Sequence, residues 1–168
     1  MRVLLKLILD CEPDDAWRAI RTPAVFQQVS RPFTRFTSLE VGGFPQFWEE
    51  GDHPVRVSAF GRRRLRLGHQ VIRVSFDESE PGTRVMRDNG EGLSGVLAQI
   101  STWEHSMAIS AAPDNKTLYR DQLTFSAGLL TPLLWPMYWA FWQWRAASLK
   151  RLAPTWGTSP PSRTNLSL

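Results

Sequence analysis

Residues 117–152 read TLYRDQLTFSAGLLTPLLWPMYWAFWQWRAASLKRL, and the change of period inside this stretch decides the fold. Up to Ser126 the side chains alternate, with Tyr119, Asp121, Leu123 and Phe125 on one side and Arg120, Gln122, Thr124 and Ser126 on the other, as in a strand. From about Thr131 to Leu152 the repeat becomes helical, and Thr131 with Pro132, or Trp135 with Pro136, supplies a cap and a first position. Leu134, Tyr138, Phe141, Arg145 and Leu149 then fall on one stripe, and Trp135, Trp139, Trp142 and Ala146 on its neighbour. The first half of this helix, LLWPMYWAFWQW, is apolar nearly all round, so it is expected to be enclosed or to form the wall of an apolar space. Its second half, RAASLKRL, is amphipathic.

Working back from this point, Val96 to Ser110 reads as a strand in which Trp103, His105, Met107 and Ile109 share one face. A hairpin over Pro113 to Lys116 pairs it with the strand from Thr117 to Ser126, and several registers bring His105 beside Asp121 or diagonal to it. At the other end of the chain, Arg2 to Leu9 is a strand, followed by a short helix to about Ile20 with Pro13, Asp14 and Asp15 in its first turn. Thr22 and Pro23 open a second short helix that Pro32 ends. Further β-type runs cover Arg35 to Val41, Val55 to Phe60, Leu65 to Phe76 and Thr83 to Asp88, separated by GGFP, GRRR, ESEPG and DNGEG. The expected architecture is α+β: a curved, mostly antiparallel sheet of about six or seven strands, two short helices, and a long C-terminal helix packed over the sheet. One domain is expected over residues 1–152, with a tail at 153–168, rich in Pro, Ser and Thr, that does not fold.

Composition narrows the function. Of 168 residues 42% are hydrophobic and 21% charged, which excludes a disordered chain, and eight Trp with nine Phe require a large core, a ligand cavity or a membrane boundary. The net charge of +4 is modest, and the one dense basic run, Arg62, Arg63, Arg64 and Arg66, lacks interleaved aromatics, so it reads as a solvated strand end and nucleic acid is not an expected partner. His53, His69 and His105 lack metal-ligand spacing, HExxH and GxSxG are absent, and a lone Cys11 allows no internal disulfide. No metal and no cofactor is expected. Gly90, Gly92 and Gly95 spell GxGxxG but are followed by a strand, so they read as a flexible hairpin loop. His53 reads as loop, and Glu49, Glu50 and Asp52 as a solvated acidic turn. Residues 122–144 carry no charge and are long enough to span a bilayer, although Gly128, Pro132 and Pro136 interrupt them.

The opening strand followed by EPDDAWRAIRTPAVFQQV, the GHQVIRV strand, EPGTRVMRDNGEG, the WEH strand, TLYRDQLTFSAG and a terminal helix ending in WRAASLKRL together resemble the SRPBCC superfamily, the START/Bet v 1-like helix grip. More narrowly the chain looks like bacterial polyketide cyclase/dehydrase and lipid-transport-like members. The resemblance covers residues 2–152 and implies an apolar cavity for a lipid, polyketide-like or aromatic molecule, with no required cofactor. Members include carriers, sensors and a few enzymes. Three readings follow. In the first, a hydrophobic small molecule lies between sheet and helix, lined by His69, Trp103, Met107, Leu123, Phe125, Tyr138, Phe141 and Trp142 and oriented by His105, Tyr119, Asp121 and Arg145. Arg145 meets either a ligand carboxylate or phosphate or an acidic side chain of the sheet. In the second, the same pocket is that of a cyclase/dehydratase-type enzyme, with His105 as acid/base and Asp121 fixing its tautomer; the same two residues equally make a satisfied structural pair. In the third, residues 122–144 anchor the chain to a membrane. The first two place the protein in the cytoplasm.

Overall fold

The computed structural model describes residues 1–59 and 65–158. In chain order they form β1 (Arg2–Leu9), α1 (Pro13–Ile20), α2 (Pro23–Ser30), β2 (Thr34–Ser38), β3 (Gly51–Ala59), β4 (Leu65–Asp77), β5 (Thr83–Asp88), β6 (Glu91–Gly92), β7 (Thr102–Ala112), β8 (Lys116–Ser126) and α3 (Thr131–Leu152). The strands make one curved, open sheet in the order β1-β8-β7-β5-β4-β3-β2, with β6 paired to β4, and every pairing is antiparallel. The α+β architecture expected from the sequence is therefore the observed one.

Alternation sets the faces. Along β1 Val3, Leu5, Leu7 and Leu9 are buried, while Leu4 and Ile8 stand exposed on the opposite side. The inward residues of β7 and β8 continue this layer, and α3 closes it with Trp142, Ala146 and Leu149. At the far end Phe26 packs on Phe36 at 4.4 Å, and Trp48 meets Phe26, Phe44 and His53. Asp14 and Asp15 in the first turn of α1 and Arg18 in its last complement the helix dipole. Thr22 stands at the N-cap of α2, but its hydroxyl donates back to the Arg18 carbonyl at 2.9 Å instead of capping the helix.

Several segments depart from the expectation. The first half of α3 is enclosed on one side only: Leu133, Met137 and Trp139 are exposed, whereas Ala146, Ser148 and Leu149 in the second half are buried. Residues 122–144 divide between β8, a 3-10 turn at Gly128–Leu130 and α3, and no helix among the described residues is long and apolar enough to cross a membrane. The strand expected from Val96 begins only at Thr102, because Gly95–Gln99 is a 3-10 helix. The GxGxxG segment is not a loose loop. A Cβ on Gly90 would lie 1.8 Å from the Val71 carbonyl oxygen and one on Gly92 2.1 Å from that of Leu97, so these residues let two backbones touch. Among the described residues no helix crossover to a parallel strand follows, which removes the dinucleotide geometry.

Strand β3 starts at Gly51, four residues before its expected beginning, and β2 ends at Ser38, short of Val41. Pro54 is tolerated inside β3 because β2 has already ended there: the last pair is Ser38 with Val55. His53 is consequently no loop residue. It is buried in β3, with Nδ1 3.0 Å from Glu40 and Nε2 2.9 Å from the Glu49 carbonyl. Of the expected acidic turn, Asp52 pairs with Arg73 at 2.7 Å and Glu50 accepts the Phe76 amide at 2.9 Å. The segment expected to lie outside the fold from residue 153 begins with a 3-10 helix, Ala153–Thr158, whose Ala153 is buried and whose Trp156 packs on the core. Phe60, Arg62, Arg63, Arg64 and residues 159–168 lie outside the described residues.

The close approach at β4 carries a stability prediction. Gly90→Ala pushes a methyl group into the Val71 carbonyl, so the backbone must shift, and the loss is expected at about 1–3 kcal/mol or above. Urea denaturation checks this; an unchanged midpoint means the contact yields without cost.

Candidate functional site

The inward faces of β7 and β8 put the polar residues of this sheet under α3. Met107 is the direct partner of Asp121 and Leu123 that of His105, so the histidine and the aspartate are diagonal neighbours. Their side chains meet: His105 Nε2 lies 2.9 Å from Asp121 Oδ1. The same oxygen accepts the Trp142 indole N–H at 2.8 Å from α3, and Oδ2 accepts the Tyr119 hydroxyl at 2.8 Å. Arg145, one turn beyond Trp142, places a guanidinium nitrogen 3.8 Å from Oδ2 and stacks its charge 5.1 Å from the Trp142 ring. Every member of this cluster is at least nine-tenths buried, with Asp121 at 1% and Arg145 at 5% exposure.

The electrostatics follow from that enclosure. Burial pushes the Asp121 carboxyl up, but His105, Arg145 and the indole N–H outweigh it and hold the group at about 2. An ionised carboxylate only accepts, so His105 carries its proton on Nε2. Burial, with Asp121 beside it, drives the Tyr119 hydroxyl well above its ordinary value and keeps it a neutral donor. Tyr138 is raised to about 12 by burial. Arg145 is the exception in an otherwise satisfied cluster, since its Nε is buried without a hydrogen-bond partner.

Asp88 is a site residue that the sequence reading misses. It faces His105 across the β5–β7 pairing, and burial pushes its carboxyl up while the His105 side chain works against that. Its oxygens accept the Arg73 and Gly90 amides, each at 3.0 Å, and the Trp103 indole N–H at 3.2 Å. The signal lies in RVMRD, where period two puts Asp88 on the same face as the buried Met86.

The aromatic residues form a cage around this polar centre. The Trp142 and Trp103 rings lie 5.3 and 6.4 Å from the His105 ring, and Tyr138 sits 5.7 Å from Trp103 and 4.6 Å from Phe125. Met107, Leu123 and Phe125 are buried beside them, whereas Trp103, Tyr138 and Phe141 remain half-buried, Phe141 reaching Phe33 at 6.1 Å. One expected lining residue is not in this group. His69 shares a face of β4 with Val71 and Arg73, opposite the buried Ile72 and Val74, and so lies on the other side of the sheet. Trp142, Tyr119 and Phe125, all at 1% exposure or less, pack the space under α3, and a concavity of about 300 Å³ lies around His69.

No family model and no curated protein matches the sequence. Among solved structures, a hypothetical protein of Helicobacter pylori superposes with a TM-score of 0.67 at 10% identity, over 91% of this chain and 88% of that one. A protein of Chromobacterium violaceum gives 0.60 at 15% identity over 91% and 96%, and norcoclaurine synthase of Thalictrum flavum gives 0.60 at 11% over 90% and 85%. The fold is a helix grip. At these identities the likeness speaks for the fold alone.

The cluster makes stability depend on acid. Because Asp121 titrates lower in the folded chain than the ordinary 3.8, its contribution is complete above that value and is lost as pH falls towards 2. Asp121→Asn is expected to lose about 3–5 kcal/mol at neutral pH and to flatten the acid limb between pH 4 and 2. Should that variant not fold, Tyr119→Phe removes one bond and is expected to cost about 1 kcal/mol. Urea midpoints against pH read both, and an unaltered acid limb contradicts the assignment.

Proposed function

We propose that this chain is an SRPBCC-type helix-grip protein that binds a hydrophobic small molecule, lipid-like, polyketide-like or aromatic, with an acidic head. The observation that carries the reading is Arg145. A guanidinium at 5% exposure, with its Nε unpartnered and its nearest carboxylate oxygen 3.8 Å away, is a poor solution for a merely structural core. It is a good one for a ligand carboxylate or phosphate, which takes the free N–H and leaves Asp121 to its other donors. Tyr119 and His105 set the orientation, and the half-buried Trp103, Tyr138 and Phe141 supply apolar contact.

Since Trp142 fills the grip, admission requires α3 to yield. Its first half is the part that can: Leu133, Met137 and Trp139 face outward, and Pro136 supplies no main-chain N–H to the helix. The second half is held by Ala146, Ser148 and Leu149. We place the protein in the cytoplasm, in keeping with a lone cysteine.

A second reading rests on the 2.9 Å contact between His105 and Asp121, which gives an imidazole of fixed tautomer among aromatic rings. It is that of a cyclase/dehydratase-type enzyme with His105 as general acid/base, and norcoclaurine synthase is a fold neighbour named for an enzymatic activity.

Native mass spectrometry of full-length protein purified without detergent is expected to show a discrete adduct lost on denaturation. With added oleic acid the protein is expected to bind one molecule, to bind oleyl alcohol about tenfold more weakly, and to lose that preference in Arg145→Gln. Absence of both an endogenous adduct and any binding of these probes overturns the reading. For the enzymatic reading, His105→Gln must abolish turnover of the released molecule while its affinity persists; unchanged turnover removes His105 from any chemistry.

A further inference from the structure

The concavity around His69 is lined by Arg56, Arg66, Leu67, Gly68, His69, Ser94 and Gly95, and Arg56 and His69, paired across β3 and β4, alternate with the buried Val55, Val57 and Ile72 and so stand on the face turned away from the grip. It contains no acidic side chain, and neither Arg56 nor Arg66 has an acidic partner among the described residues. The floor is built by backbone contact. A Cβ on Gly68, whose φ is +140°, would lie 1.9 Å from the Ser94 carbonyl oxygen, and one on Gly95, at φ +64°, 2.3 Å from that of Leu67. Side chains there would push the two segments apart.

The hydrogen-bond pattern fixes which way the donors point. Arg56 Nε is 3.4 Å from His69 Nε2, and a guanidinium only donates, so Nε2 holds the lone pair and the proton sits on Nδ1. Nδ1 then donates to Ser94 Oγ at 3.2 Å, and the same oxygen accepts the His69 amide at 3.0 Å. Both acceptor positions of the Ser94 hydroxyl are thereby used, which leaves its own proton to donate. Two arginines and a hydroxyl with a proton left to donate thus line a space of about 300 Å³ whose one side-chain nitrogen acceptor is already engaged. That is the complement of an oxyanion, not of a cation or a neutral apolar group.

We infer that this outer groove, formed by Arg56, Arg66 and Ser94 over the Gly68–Gly95 contact, is a second binding site, for a phosphoryl group. The arrangement also speaks against a Ser–His nucleophile. Ser94 accepts a hydrogen bond from His69 and does not donate one to it, so the pair positions a donor. The site stands on the opposite face from Asp121 and does not depend on what the grip binds.

Titration of the ¹⁵N-labelled full-length chain with inorganic phosphate, at constant ionic strength set with chloride, tests the inference. Saturable shifts are expected at the amides of His69, Ser94 and Gly95, with about tenfold weaker binding in Arg56→Gln and in Arg66→Gln and near loss in the double variant. Both arginines are exposed enough for these changes to leave the fold intact, which the remaining amide spectrum verifies; Ser94→Ala gives an independent, smaller loss. Cosedimentation with vesicles of phosphatidic acid in phosphatidylcholine separates the sources. Binding to free phosphate assigns a soluble phosphoryl ligand; binding to the vesicles alone, abolished in the double variant, assigns a lipid headgroup. Failure to bind either probe, or binding undiminished in the double variant, overturns the site.

Discussion

The carboxylate of Asp121 is the interaction on which this molecule turns. It is at 1% exposure, yet it joins three elements: Tyr119 from its own strand, His105 from the neighbouring strand, and Trp142 with Arg145 from the terminal helix. Apolar contact alone would let a helix rich in Trp and Leu slide or rotate over the sheet, because such contact is non-directional. A buried carboxylate is directional and tolerates no slippage, since each donor lost leaves charge without compensation. The register of α3 on the sheet is therefore specified by polar atoms, while its affinity for the sheet comes from Trp142, Ala146 and Leu149.

Much of this arrangement is legible in the sequence. Period two places Trp103, His105, Met107 and Ile109 on one face and Tyr119, Asp121, Leu123 and Phe125 on another, and the burial of those strands follows the same alternation. The helix is legible from its spacing and from Pro132. What alternation does not contain is the offset between two strands, and it is that offset, with Met107 opposite Asp121, which makes His105 a diagonal partner. Nor does it contain Trp142 as a donor to Asp121, because an indole in an aromatic run reads as packing and its N–H points only where the fold sends it.

The segments whose structure differs from their local signals share one cause. Such signals describe a residue's own backbone preference, whereas Gly90, Gly92 and Gly95 are required by what lies against them. In isolation DNGEGLSG is a flexible turn; against β4 it is a tightly pressed strand and 3-10 helix, since main-chain carbonyls occupy the places of the missing side chains. Pro54 misleads in the same way. Proline in a strand is a boundary only where its amide is needed, and β2 has already ended beside it. His53 therefore reads as loop although it is enclosed between Glu40 and the Glu49 carbonyl.

Strand β4 shows why one sheet serves two environments. Ile72 and Val74 face the core, and the alternate positions carry Arg73 and His69 to the other side of the strand. A helix grip needs only one covered face, so the outer face is free to collect charge at no cost to the core. On the covered side the polar groups under α3 are drawn into one cluster around Asp121, and the exception, Nε of Arg145, stands out because its surroundings are so completely satisfied. On the open side the absence of acidic partners for Arg56 and Arg66 among the described residues weighs less singly, as water can solvate them, and gains weight from the Ser94 hydroxyl, which lines the same space with its proton left to donate. The two proposed sites rest on different physics: burial would make the inner one selective for a group that completes it, and geometry would make the outer one selective for a group that accepts from several directions at once.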